Sequence, residues 1–318
     1  MRLARILLCA LALCAGVAAA AEPWPAKPVK LVVPYPPGGS TDGLARIFAD
    51  GLGSRLGQPV IIENKPGAAT VIGTDYVAAQ AADGYTLLLC TPGLAINPSV
   101  YPVHYDPEKS FTYVTLLASL PLILVAHPDV PVANVNDVVA LAKSKPGEIS
   151  YTTYGMGSAA HLAGELLHQM TGAKMLHVPF KGSSPAVTEV IAGRANLSFT
   201  TVPMVVPMIK AGRVKPVGVT TAQRLDVLKD VPTIAESLPG FEVVSWNGLC
   251  APAGVSHEIV ERLNKASNEV VNAPESRARL VDQGYVVAGG TPEQFRAFVM
   301  AEVRKWSKLI REANVKME

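Results

Sequence analysis

Two short stretches carry the residue types from which an anion site is built. "PPGGSTDGLA" occupies Pro36–Ala45, directly behind the apolar run Val29–Val33, and "GSAAHLA" at Gly157–Ala163 repeats its G-S-x-x-x-L-A frame. The chemistry on offer needs no cation. A helix N-terminus carries unpaired N–H groups and about half a positive charge, so it can receive a carboxylate or a phosphate. Gly38 and Gly39 allow backbone conformations and a close approach that a side chain would forbid, while Ser40 and Thr41 add hydroxyl donors. Gly155, Gly157 and Ser158 repeat that arrangement. Either loop alone is no more than a capped helix after a glycine turn. Two of them, in matched places of two similar halves, read as a clamp for one small anion.

Spacings for covalent, nucleotide or metal chemistry are missing. Gly38-Gly39-Ser40-Thr41 breaks the G-x-S-x-G elbow at Asp42, and neither G-x-x-x-x-G-K-[ST] nor G-x-G-x-x-G occurs. The histidines (His104, His127, His161, His168, His177, His257) lack H-E-x-x-H, so no metal and no cofactor is expected. An exported hydrolase using Ser40 or Ser158 would lack a base at any recognisable spacing, so no enzyme activity is expected. His161, in the first turn of its helix, reads equally as a packing residue or a ligand donor. Lys181 is either a solvated lysine or the cation nearest the cleft. Tyr35 and Trp246 read as core or hinge packing, although Tyr35 adjoins the first loop.

These loops need elements to position them. Val29–Val33 reads as a buried strand, followed by a helix with Leu44, Ile47, Phe48, Leu52 and Leu56 at helical spacing. Strands at Val60–Glu63 and Tyr85–Cys90, with a helix from Ile72 to Ala82 between them, complete a β-α-β-α-β unit and imply a parallel sheet. A long apolar stretch, Phe111–Ala126, is interrupted at Pro121. The pattern then restarts: strand Ile149–Thr153, glycine loop, helix Ser158–Met170, strand Met175–Pro179, loop "FKGSSP", helix Ala186–Ala192, strand Ala195–Thr200. Another strand is expected at Val243–Ala251, then amphipathic helices, the last opening at Thr291-Pro292-Glu293-Gln294 with a capping box.

The N-terminus sets the compartment. A basic start (Arg2, Arg5), an apolar run Ile6–Val17 and small residues Ala18–Ala21 read as a cleaved secretory signal over residues 1–21, giving a periplasmic protein. Taking Arg2 and Arg5 away from a formal charge of +2 leaves a neutral chain. That gives no electrostatic case for nucleic acid or an anionic membrane surface. Of the cysteines, Cys9 and Cys14 leave with the signal, and Cys90 and Cys250 either pair or sit singly in the core.

"WPAKPVKLVVPYPPGGSTDGLAR", "GQPVIIENKPGA", "AADGYTLLL", "YGMGSAAHLAGELL", "HVPFKGSSPAVTEVIAGR", "IKAGRVKPVGVTTAQR" and "SWNGLCAPAG" occur in this order along the chain. Together they resemble the Bug-type periplasmic solute-binding proteins, the receptors of tripartite tricarboxylate transporters. The resemblance implies an α/β, two-domain fold of the type II periplasmic binding (Venus-flytrap) kind, each domain a mostly parallel sheet flanked by helices. It places domain 1 at 22–122 plus 246–318 and domain 2 at 123–245, with hinge strands near 119–125 and 243–249. It implies a small carboxylate bound between the domains by Tyr35, Pro36, Gly38, Gly39, Ser40, Thr41 and Asp42 from one side. Gly157, Ser158, Ala159 and His161 would meet it from the other, with Thr91, Lys181, Gly182, Thr200 and Thr201 lining the same cleft. Relatives commonly carry an Asp-Asn pair where this chain has Thr200-Thr201, and Gly-Asn where it has Thr70-Val71. These changes turn the expectation away from an amino acid and towards a dicarboxylate, hydroxy acid or aromatic acid. The fold further implies that Cys250 lies in the strand beside the one ending at Cys90, so that the two form a cross-strand disulfide. The implied partners are membrane transporter subunits, or a sensor kinase reading the same closed shape, with the receptor itself monomeric.

Overall fold

A computed structural model describes residues 24–313; the expected signal at 1–21 lies outside the described residues. The chain opens with β1 (Val29–Val33), whose Val29, Leu31, Val32 and Val33 are fully buried. Burial of each such side chain contributes about 1.5–3 kcal/mol, and β-branched residues suit a strand covered on both faces. α1 (Ser40–Leu56), β2 (Val60–Asn64), α2 (Val71–Ala78) and β3 (Thr86–Cys90) follow, with β1 between β2 and β3 in parallel register. A short α3 (Pro92–Ile96) leads towards β4 (Phe111–Ala126).

The second lobe holds α4 (Val135–Ser144), β5 (Ser150–Thr153), α5 (Ala159–Thr171) and β6 (Leu176–Pro179). α6 (Ser183–Ile191), β7 (Leu197–Thr201), α7 (Val202–Lys210) and β8 (Lys215–Val219) complete it. The chain returns through β9 (Val244–Pro252) to α8 (His257–Asn272), α9 (Pro274–Asp282), β10 (Val286–Val287) and α10 (Pro292–Ala313). The strand order is β2-β1-β3-β9-β4-β7-β5-β6, with β8 and β10 also pairing with β4.

Pro121 does not interrupt the apolar stretch as the sequence suggests: β4 runs straight through it. The reason lies in the pairing. β4 is antiparallel to β9 as far as Pro121, opposite Val244, and from Leu122 it pairs with β7 instead. The missing N–H of proline therefore falls where the strand changes partners, the place in a sheet where it costs least. α6 also starts earlier than expected, so Ser183, Ser184 and Pro185 form its first turn, where a proline is tolerated.

Cys90 and Cys250 are joined by a disulfide between β3 and β9, with Cα atoms 6.2 Å apart. Trp246 packs edge-on against Phe295 and Phe298 of α10. Its indole N–H and that of Trp306 both donate to Glu302.

Candidate functional site

The loop after β1 is held from within its own lobe. Asp42 is buried in the first turn of α1, and its carboxylate accepts hydrogen bonds from the Gly38 N–H at 3.0 Å, Arg46 Nε at 2.9 Å and Asn64 Nδ2 at 3.0 Å. Burial pushes its pKa up, but those bonds outweigh it and hold the carboxyl below its ordinary value. Asn64 also donates to the Tyr35 carbonyl, and Tyr285 donates to that of Ser40 at 2.6 Å. Gly38 has φ of +86°, a left-handed conformation that glycine adopts without strain.

Across from this loop stands the first turn of α6. Ser184 Oγ donates to the Gly38 carbonyl at 2.9 Å, and Ser40 Oγ lies 2.8 Å from Thr201 Oγ1. A Cβ added at Gly39 would sit 3.0 Å from Ser183 Oγ, so the absence of a side chain there lets the lobes touch. Between them is an inner chamber of about 40 Å³, whose walls carry the hydroxyls of Ser40, Thr41, Ser183, Ser184, Thr201 and Ser245. Both helices that open on it have a glycine N-cap, Gly39 and Gly182, so neither has a capping side chain that accepts from its first-turn N–H groups. Such helix starts are the kind of place where an anion can be received.

A wider outer chamber of about 460 Å³ adjoins it, with Tyr35, Pro36, Tyr154, Lys181 and Gly182 shared between the two. Tyr35 and Tyr154 meet edge to face, ring centroids 6.2 Å apart. Burial pushes the Tyr35 phenol up to about 12, with the Thr91 hydroxyl beside it pulling the other way. Lys181 is exposed and has no ion-pair partner among the described residues.

Of the residues singled out from the sequence, the structure brings Tyr35, Pro36, Gly39, Ser40, Thr41, Lys181, Gly182 and Thr201 to these chambers. Gly38 and Asp42 stand just behind, shaping the loop. Thr91 is buried at the start of α3, and Thr200 is buried with its hydroxyl unpaired; neither lines a chamber. The second glycine loop contributes Gly155 and Met156 to the outer chamber, while Gly157, Ser158, Ala159 and His161 fall outside both. Ser158 is occupied in capping its own helix, accepting from the His161 N–H, and the His161 ring accepts from the Gly157 N–H. That ring is buried and stacks on His177 at 4.2 Å, which is a packing role.

Sequence reasoning missed Tyr154, Ser245 and the Ser183–Ser184 turn. The two serines stand inside "FKGSSP", which reads as a loop but is the first turn of α6. Nothing local marks Tyr154 or Ser245, because it is the folding of one lobe over the other that brings them in. The strained run Ala68, Ala69 and Thr70, all at positive φ, also lines the outer chamber.

A family model described as "Tripartite tricarboxylate transporter family receptor" matches residues 44–315. Protein BugT of Bordetella pertussis is 36% identical over 310 residues, 96% of this chain and 95% of BugT. Among solved structures, R. palustris Rpa4515 with adipate is similar at a TM-score of 0.89 and 37% identity, covering 92% of this chain and 99% of that one. Periplasmic binding protein BugD has a TM-score of 0.88 at 34% identity, covering 93% and 100%. MatC (Rpa3494) from Rhodopseudomonas palustris with bound malate has 0.86 at 31%, covering 90% and 100%. The sequence match spans most of the chain, and the two-lobed architecture is that of these binding proteins. The chain belongs to the tripartite tricarboxylate transporter receptor family of periplasmic solute-binding proteins.

Proposed function

We propose that this chain is an exported, non-catalytic receptor that closes over a small carboxylate and presents the loaded form to the membrane subunits of a tripartite transporter. The observation that carries this reading is the inner chamber: hydroxyls from both lobes around two helix N-termini whose caps leave their N–H groups free. Such a site stabilises one negative charge and favours the closed state through contacts made only when the lobes meet. The adipate and malate seen in two relatives are of the same chemical class. In this reading residues 1–21 are removed on export. The ligand lies between a lobe made of 22–122 and 246–318 and a lobe made of 123–245, and a single chain suffices.

The test is a thermal-shift comparison of residues 22–318 with carboxylic acids and their uncharged amides. A ligand at 100 times its Kd adds about 2.7 kcal/mol, a rise of several degrees in Tm for a chain of this size. A rise with at least one acid and none with its amide is expected. No rise with any acid, or an equal rise with the amides, would overturn the reading.

A further inference from the structure

The two chambers differ in character, and the difference selects among carboxylates. At about 40 Å³ the inner chamber has room for two or three water-sized groups, which fits one carboxylate head but not a whole dicarboxylic acid. The outer chamber, about 460 Å³, is walled by Pro36, Pro66, Ala69, Met156 and Phe180 and the rings of Tyr35 and Tyr154. Apart from Lys181, no charged side chain lines either space among the described residues. A second carboxylate placed in the outer chamber would give up water for proline and phenylalanine surface. A methylene placed there gains about fourfold in affinity, the equivalent of its transfer out of water.

At the junction stands a group with hydrogen-bonding capacity to spare. Tyr154 is 8% exposed and lines both chambers, and its hydroxyl has no hydrogen-bond partner. Ser245 and the Ala160 backbone are its polar neighbours, outside hydrogen-bond geometry. Burial pushes the phenol well above its usual range, so it keeps its proton and can donate to an incoming acceptor. Two residues from Ser245 on the same face of β9, the Asn247 amide is likewise buried with both ends unpaired.

We propose that the preferred ligand is a monocarboxylate with an apolar body, a ring or a chain of about six carbons. Its head enters the inner chamber and accepts a hydrogen bond from Tyr154, and its body fills the outer one. This rests on the carboxylate reading above and narrows it. Tyr154 is then a specificity-determining residue, and Lys181 sits at the rim rather than holding a second acid group.

Isothermal titration of residues 22–318 with hexanoate, adipate, benzoate and hexanamide separates the two levels. Hexanoate and adipate share a chain length and differ in the terminal carboxylate. The expected result is that hexanoate and benzoate bind at least about tenfold tighter than adipate, and that hexanamide does not bind. Adipate binding as tightly as hexanoate or tighter would overturn this inference and leave the carboxylate reading standing. Hexanamide matching hexanoate, or no binding by any acid, would overturn both. Tyr154→Phe should weaken hexanoate about tenfold, the loss of one hydrogen bond to a charged group, with its ligand-free Tm reporting that it folds. Unchanged affinity would remove Tyr154 from the site. Phe180→Ala provides a second check on the body. It should weaken hexanoate and leave acetate unchanged, and equal loss for both would contradict an apolar outer subsite.

Discussion

Asp42 shapes the proposed anion site from behind, without lining either chamber. Its carboxylate gathers the Gly38 N–H, the Asn64 amide and Arg46, which fixes the turn that brings Gly39 and Ser40 to the cleft. Arg46 offsets its charge from 2.9 Å, so the loop can carry an acid without repelling a carboxylate ligand. Asp42→Ala would take the charged acceptor from the Gly38 N–H and the half-buried Asn64 amide, and the expected loss is about 1–2 kcal/mol of unfolding free energy in urea. An unchanged midpoint and slope would show that the loop holds its shape by other means. Gly39 acts at the same scale by lacking a side chain, since any Cβ there would press on Ser183 Oγ across the cleft.

Among the elements, α5 and β6 carry a stacked histidine pair, His161 buried and His177 half-buried, that lines neither chamber. His161 on α5 stacks on His177 of β6, which stacks on Tyr151 at 4.9 Å and meets Thr153 Oγ1 at 2.8 Å. Glu165 lies 3.7 Å from His161 Nε2 and accepts from the Tyr151 hydroxyl. Burial holds His161 down to about 4; burial and then the neighbouring His161 hold His177 down to about 3. In the unfolded chain both titrate near 6.5. Acidification therefore protonates the unfolded state first. The stability held in these neutral rings is complete above about pH 6.5 and is lost as pH falls towards 4 and then 3, at up to about 1.4 kcal/mol per pH unit for each ring. Tm followed from pH 7 to pH 4.5 should fall, and more shallowly for His177→Gln. A wild-type Tm that stays level over that range would contradict neutral buried rings.

The same elements show what a sequence can and cannot disclose. The apolar period of β1 and α1, and the glycine loop between them, are local signals, and they read correctly. The repeat of that loop before α5 is equally visible, yet Ser158 caps its own helix while the first turn of α6 bonds to Gly38 of the first loop. No local pattern distinguishes a serine that caps from one that faces a cleft. Tyr154 and Ser245 were illegible for a related reason: they meet the first loop only because β4 and β9 carry the chain between the lobes. Pro121 misled in the other direction, since its break in hydrogen bonding is absorbed where β4 changes partners.

At the scale of the whole molecule, β4 lies beside β9 and then continues to pair with β7 and β8, with the Cys90–Cys250 disulfide tying β9 to β3 in the larger lobe. The lobes touch through Ser184–Gly38 and Ser40–Thr201. In the function proposed above, closure builds the inner chamber, and a ligand bound there would shift the population towards the closed form. The most direct test is a crystal structure of residues 22–318 grown with the acid that binds tightest. The expected result is one carboxylate between the first turns of α1 and α6, within hydrogen-bond distance of Ser40 and Ser183. A carboxylate seated instead against Ser158 and His161, or outside the cleft, would contradict it.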